Sequence, residues 1–318
     1  MATPLFTTSD LSIIVVNGVL MNQRDASLDD QLAWLDSAIQ SGRTFILELS
    51  SNFNRAAYTF PRGFSNVNIV LRGADNINRT VSLSPAGGTL FTVPAGITLT
   101  LDFVTLQGRR NSVPLVMVED GASLVMNDGS MVTRNTNESE NNNSGSGVFV
   151  MPGGLLHMMR GSSIRENVNS GGDGAGVFCQ GKTIIEGGRI ASNRAMNGGG
   201  IFVDENATVL HIAGSFENNS TIGAGNGGAI NIAENATFDM RGGVILGNRA
   251  GIGAGVYNEG LFRISNGLVY GSNSRAELRN VATTVGSSLH NVPPGTSFAG
   301  VFNEDGLFTS YVAYVGPN

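Results

Sequence analysis

The sequence predicts an all-β protein: a parallel β-solenoid of about eight coils with a short capping helix near its N-terminus. Three observations predict it. A glycine-led phrase recurs, apolar residues between the phrases alternate with period two, and an asparagine closes each unit of 24–33 residues. The phrases are Gly145-Ser-Gly-Val-Phe-Val, Gly174-Ala-Gly-Val-Phe-Cys, Gly198-Gly-Gly-Ile-Phe-Val, Gly227-Gly-Ala-Ile-Asn-Ile and Gly253-Ala-Gly-Val-Tyr-Asn. Degenerate forms run through Gly88-Thr-Leu-Phe-Thr-Val and Val113-Pro-Leu-Val-Met-Val.

Each unit reads as three short strands. The first is the phrase itself, and it stacks Val148, Val177, Ile201, Ile230 and Val256 into an inward ladder. The second carries Leu124/Met126, Leu210/Ile212, Phe238/Met240 or Phe262/Ile264. One or two glycines lead into the third, and Asn135, Asn167, Asn193, Asn218, Asn248 or Asn273 follows it. These asparagines are expected to take the left-handed conformation and to stack in a hydrogen-bonded ladder at one corner. Between asparagine and the next phrase the length varies, from residues 194–197 to the polar insert at 136–144, which predicts loops along one edge. No coil buries its inner face alone, so neighbouring coils must stabilise one another.

The ends need covers, because a solenoid exposes strand edges there. Residues 27–42 are the one helical pattern, with Ser27 as N-cap, Leu28, Leu32, Leu35 and Ile39 on one face, and Gly42 as the stop. Trp34 is expected to pack within this cap. The organisation is therefore an N-terminal strand segment at 1–26, a capping helix and first strand at 27–60, the β-helix at 61–275 and a C-terminal cap at 276–318. Val292-Pro-Pro-Gly295 marks a turn in the last part.

Composition excludes several alternatives. With 44 glycines in 318 residues a helical bundle would be heavily penalised, since each interior glycine costs about 1 kcal/mol. Glycine does not recur every third residue, so collagen is excluded, and 41% apolar residues can bury a substantial core. No apolar run reaches the roughly 20 residues of a membrane span. A net charge of −6 argues against nucleic acid and anionic membranes. The single cysteine, Cys179, lies in an apolar strand and reads as a core residue. At the start of the chain no basic segment precedes a long apolar run, so no signal peptide is visible: the protein is either cytosolic or a mature or trimmed form of a secreted one.

The repeat units resemble spirochaete-type surface-repeat proteins, whose units read Gly-Gly-Gly-Val-Tyr-Val, an apolar-x-Met strand, Gly-Gly and an Ile-x-x-Asn corner. Gly198-Gly-Gly-Ile-Phe-Val203 and the stretches 122–135 and 238–248 carry the likeness, as does Thr89-Leu-Phe-Thr-Val upstream. It covers roughly residues 27–275. More distantly, Gly227-Gly-Ala-Ile230 and Phe216-Glu-Asn-Asn219 are similar to polymorphic outer-membrane passenger repeats. The resemblance implies a right-handed, single-stranded parallel β-helix at a bacterial surface or outside the cell. It implies adhesin-like or structural roles and no catalytic residues. Leu5-Phe-Thr-Thr-Ser-Asp-Leu-Ser-Ile-Ile-Val-Val-Asn-Gly18 looks like the closing strand of such a domain, yet stands first, and Leu307-Phe-Thr-Ser310 echoes its opening. The strand from Leu5 to Leu20 either folds back on its own solenoid or completes a neighbouring subunit in a filament. The alternative function is binding or degradation of polysaccharides, because parallel β-helices include lyases and pectin hydrolases.

Gly176-Val-Phe-Cys-Gln-Gly-Lys-Thr183 satisfies the phosphate-loop pattern letter by letter. Its interior reads as a strand and a strand follows it, so no helix N-terminus is expected to receive a phosphate. Gly223-x-Gly225-x-x-Gly228 is likewise a loop coincidence. Phe149, Phe178, Phe202 and Tyr257 are expected to point outward in one column, interrupted by Asn231. An exposed stripe would stack on sugar rings or on a host or cell-surface protein; the same alternation fits aromatics stacked on one another under adjoining loops. His211, Asp239 and Arg263 are expected to form an outward polar column, as a surface charge ladder or a catalytic group. His157 reads as a core residue. No cofactor is expected, and neither an acidic run suited to calcium nor a His/Cys spacing suited to zinc is present. Asn206-Ala-Thr208 and Asn235-Ala-Thr237 recur at one turn and would be glycosylation acceptors only in a eukaryotic secretory route.

Overall fold

In the computed structural model each coil makes four strands, one more than the repeat spacing predicts. The structure describes residues 26–140, 145–272, 274–287 and 289–292, with the backbone of strands at 14–16, 19–21, 300–302 and 308–311. A representative coil runs Val177–Cys179, Lys182–Ile185, Arg189–Ala191 and Arg194–Ala195. Each strand pairs in parallel with its equivalent one coil away, which builds four sheets of nine, eleven, nine and seven strands, named here first to fourth in coil order. About eight coils result. The fourth strand is only two residues long in most coils and follows the corner asparagine directly. It occupies the start of the segment expected to be loop.

Inward positions stack into continuous apolar ladders, as period-two alternation demands. Val148, Val177, Ile201, Ile230 and Val256 are in register and fully buried. In the second sheet Leu124, Leu156, Thr183, Val209, Phe238 and Phe262 form one such row. In the third, Val132, Ile164, Ile190, Phe216, Ile245 and Val269 do the same. Each large side chain removed from water here contributes roughly 1.5–3 kcal/mol, and only the neighbouring coil provides the cover.

The asparagine ladder sits between the third and fourth strands. Its members are Asn135, Asn167, Asn193, Asn219, Asn248 and Asn280, all fully buried. Two expected members are displaced. Asn218 is not in the ladder, and Asn273 lies outside the described residues, its expected place being taken by Asn280. The left-handed backbone belongs to the residue before the first five ladder asparagines: Arg134, Glu166, Ser192, Asn218 and Gly247 have φ between 52° and 68°. The division of labour is physical. One residue turns the corner, and the next points inward and bonds along the axis.

The cap forms as its sequence requires. The helix Leu28–Ala38 starts at Ser27, whose Oγ accepts from the Asp30 N–H at 3.1 Å. Leu28, Leu32, Trp34 and Leu35 are buried, and Trp34 meets Phe45 edge to face at 5.9 Å, so it is a packing residue. Gln31 is buried too, donating from Nε2 to the carbonyls of Ala26 and Glu48. Beyond the cap, Val19–Met21 pairs in parallel with the strand Thr44–Leu49, and Ile14–Val16 folds antiparallel onto Val19–Met21. This part of the first segment therefore lies on its own solenoid; residues 5–13 are outside the described set, as are Pro293 to Gly295. At the other end Val281–Val285 joins the fourth sheet and Leu289–Asn291 the first.

Candidate functional site

The aromatic column is in register as expected, but it is covered. Phe149, Phe178 and Phe202 are consecutive rungs of the first sheet, and Asn231 separates them from Tyr257. Phe149 meets Phe178 at 5.8 Å, and Phe178 stacks on Phe202 at 5.2 Å with planes 9° apart. Phe178 is 1% exposed, Phe149 8% and Tyr257 9%, while Phe202 is half-buried. The glycine loops at Gly145 and Gly174 lie against the Phe178 side chain. Tyr257 stacks on His290 at 5.6 Å and donates to Glu259; burial and that carboxylate push its hydroxyl up to about 12. The outward direction of these rings was readable. Their cover comes from loops and neighbouring rings, which alternation does not encode.

The polar column is corrected. Asp239 and Arg263 are register neighbours on the outward face of the second sheet, but the residue aligned with them is Leu210. His211 is fully buried, between Ile185 and Met240 in its ladder and edge to face with Phe216 at 5.3 Å. Asp239 turns to Arg241, which donates to it at 2.8 Å and 3.0 Å. His157 is the reverse case: it shares the outward column and faces Glu186 at 3.2 Å. The expected phase of Leu210/Ile212 was off by one residue, and it carried His211 to the wrong face.

The phosphate-loop letters form strand, turn and strand. Thr183 points inward, its hydroxyl bonded to Cys179 Sγ at 3.3 Å, and burial pushes the Cys179 thiol up to about 12, so it is an inert core thiol. Among the described residues no three His, Cys, Asp or Glu side chains converge as metal ligands, and no helix is long and apolar enough to cross a membrane.

A concave feature lies elsewhere, on the outward face of the third sheet. Met131, Ser163, Arg189 and Ser215 form one outward row, and Thr133, Arg165, Ala191 and Glu217 the row beside it. Met131, Ser163, Arg165, Arg189, Ala191 and Ser215 of these rows, with the corner glycines 161, 188 and 214, line a depression of about 420 Å³; Thr133 and Glu217 lie beside it in the same rows. Gly188 and Gly214 keep that edge low: their φ values are 82° and 100°, and a Cβ on Gly214 would fall 2.4 Å from the Gly188 carbonyl oxygen. Arg189 pairs with Glu217, which also accepts from the Ser215 hydroxyl. Arg165 reaches Glu166 at 3.6 Å. Glu217 thus offsets Arg189, while Arg165 shares Glu166 with Arg134, whose Nε donates to it at 2.9 Å. Beneath them, Ser163 Oγ and Thr133 Oγ1 are buried with no hydrogen-bond partner. In the sequence the residues of this site look like ordinary surface. The available signal was the repeated small pair at the corner: Gly161-Ser, Gly187-Gly and Ala213-Gly. No family model, curated protein or solved structure matches the chain, so the trough is read from its own residues.

Proposed function

We propose that this β-helix is a non-enzymatic, adhesin-like module of a bacterial surface, working outside the cell, and that it meets its partner through the third-sheet trough. The observation that carries this reading is the trough itself: Arg165, Arg189 and Ser215 are held at fixed spacing on stacked coils, with Glu217 paired to Arg189 at its side, beside hydroxyls that lack partners. A solenoid braced by internal ladders supplies a rigid surface, and rigid placement of polar groups lowers the cost of binding.

Fluorescently labelled protein incubated with panels of bacterial and mammalian cells tests this. Retention on a subset of cells is expected, falling at least tenfold for Arg189→Ala/Glu217→Ala, which removes two charges without changing the net charge. Uniform absence of retention, or retention unaffected by the double substitution, overturns the reading. Release of reducing or unsaturated ends from polysaccharides by the purified protein would replace it with a degradative role.

A further inference from the structure

We infer that the trough takes an uncharged, hydroxyl-rich glycan chain and that Arg165 is its movable cover; the inference rests on the trough being the contacting face. Met131 pairs with Ser163 and Thr133 with Arg165, so these four residues are the corners of one square on the sheet. Arg165 Nε donates to Met131 Sδ, on the opposite corner, at 3.2 Å. The Arg165 side chain therefore crosses the square between Thr133 and Ser163, the two residues whose hydroxyls are buried without partners. A bond to a thioether is a weak hold, and the ion pair to Glu166 is long at 3.6 Å. Turning Arg165 aside exposes two hydroxyls that then gain partners.

The ligand class follows from the lining. Hydroxyls both donate and accept, which suits a site where Arg189 donates, Glu217 beside it accepts, and Ser163, Ser215 and Thr133 do either. Arg189 is already paired with Glu217, and Arg165 shares Glu166 with Arg134, so one positive charge is left over in a chain of net −6, too little to draw a polyanion strongly. Stacked coils repeat about every 4.8 Å along the axis, comparable with one sugar residue of an extended chain. Met131 offers an apolar surface to a sugar's C–H face.

The test is calorimetric titration of the purified full chain with cellohexaose, mannohexaose and chitohexaose, with polygalacturonate as the charged comparator. At least one neutral hexasaccharide is expected to bind. Thr133→Val/Ser163→Ala should weaken it at least tenfold while leaving the melting temperature unchanged or higher, since the lost hydroxyls had no partners. Arg165→Ala should bind several-fold tighter by removing the cover. Absence of neutral binding in both the native protein and Arg165→Ala overturns the inference. So does binding unaffected by Thr133→Val/Ser163→Ala, or a preference for polygalacturonate that vanishes in salt. Cell retention that depends on Arg189 and Glu217 without any hexasaccharide binding would sink the glycan alone; hexasaccharide binding without cell retention would sink the adhesin-like role alone.

Discussion

The Asn193 side-chain amide donates to Asn219 Oδ1 at 3.1 Å, and Asn219 makes the same 3.1 Å bond to Asn248. The backbone N–H of each asparagine also donates to the next Oδ1, and the amides reach inward carbonyls such as Ile164 O and Ile190 O. One side chain thus satisfies buried groups on several coils at once. Replacing Asn193 with alanine strands the buried Asn167 N–H and also removes the side-chain bonds to the Asn167 amide, Ile164 O and Asn219 Oδ1. The buried orphan costs about 1–3 kcal/mol and each lost bond roughly 0.5–1.5 kcal/mol, so the variant should lose about 3–5 kcal/mol. Urea unfolding followed by circular dichroism should show this loss, with Glu234→Ala, an exposed change, within about 0.5 kcal/mol of the native protein.

His211 makes the fold sensitive to acid. Burial lowers its pKa from 6.5 to about 4, and the nearby backbone of Gly214 and Ala213 offsets this only in part; neither ring nitrogen has a well-formed hydrogen bond. The unfolded chain therefore binds this proton more readily than the folded one. The linked stability is complete above the unfolded value and is lost as pH falls from about 6.5 to about 4. The span amounts to roughly 3 kcal/mol. His211→Met, which matches Met240 in the same ladder, should flatten the pH dependence in that window, as read by unfolding at pH 7 and pH 4.5. Equal slopes for the two proteins would refute the assignment.

Phe178 is predicted to matter for stability and not for recognition. It is 1% exposed between Phe149 and Phe202, so Phe178→Ala should cost about 3–5 kcal/mol. Phe202, half-buried, should cost less. Compared at equal folded fraction, both variants should retain native cell or glycan binding. A folded Phe202→Ala protein with lost binding would return the aromatic column to the contacting surface.

The architecture was legible because each coil repeats the same physical problem. Val148, Val177, Ile201, Ile230 and Val256 announce a shared inner row, and the glycines before them announce a shared corner. Phase within a strand was less legible. The turn Glu-Asn-Ala-Thr occurs at 205–208 and 234–237, and aligning the two makes His211 equivalent to Met240 and Val209 to Phe238, as the register shows. The apolar pair Leu210/Ile212 suggested the opposite phase because the outward face is itself partly apolar. The fourth strand was illegible for a different reason: two residues are too few to display a period. The small corner pairs mark the edge of the trough, but the path of Arg165 across its neighbours is a tertiary fact with no one-dimensional trace.

Gly176 offers the sharpest test of coil stacking, since its backbone conformation is ordinary and only space is at stake. A Cβ there would lie 2.4 Å from the Gly200 carbonyl oxygen, 2.9 Å from the Asn193 amide nitrogen and 3.1 Å from the Ile190 side chain. Two of these contacts are with the next coil's backbone and its ladder asparagine, neither free to retreat. The Val177 N–H donates to the Gly200 carbonyl at 3.0 Å, so pushing the coils apart also lengthens a sheet bond. Overpacking of this kind typically costs 1–3 kcal/mol, and strain on the ladder should place Gly176→Ala at about 3 kcal/mol or above. Gly223→Ala is the matched control: nothing lies within 4 Å of its Cβ, and its φ of 61° carries only the left-handed cost of roughly 1–2 kcal/mol. Hydrogen exchange should separate them further. Gly176→Ala should raise exchange at the amides of Val177 and Ile201, and Gly223→Ala should leave both protected. If Gly176→Ala proves the milder substitution, close stacking at this corner is wrong.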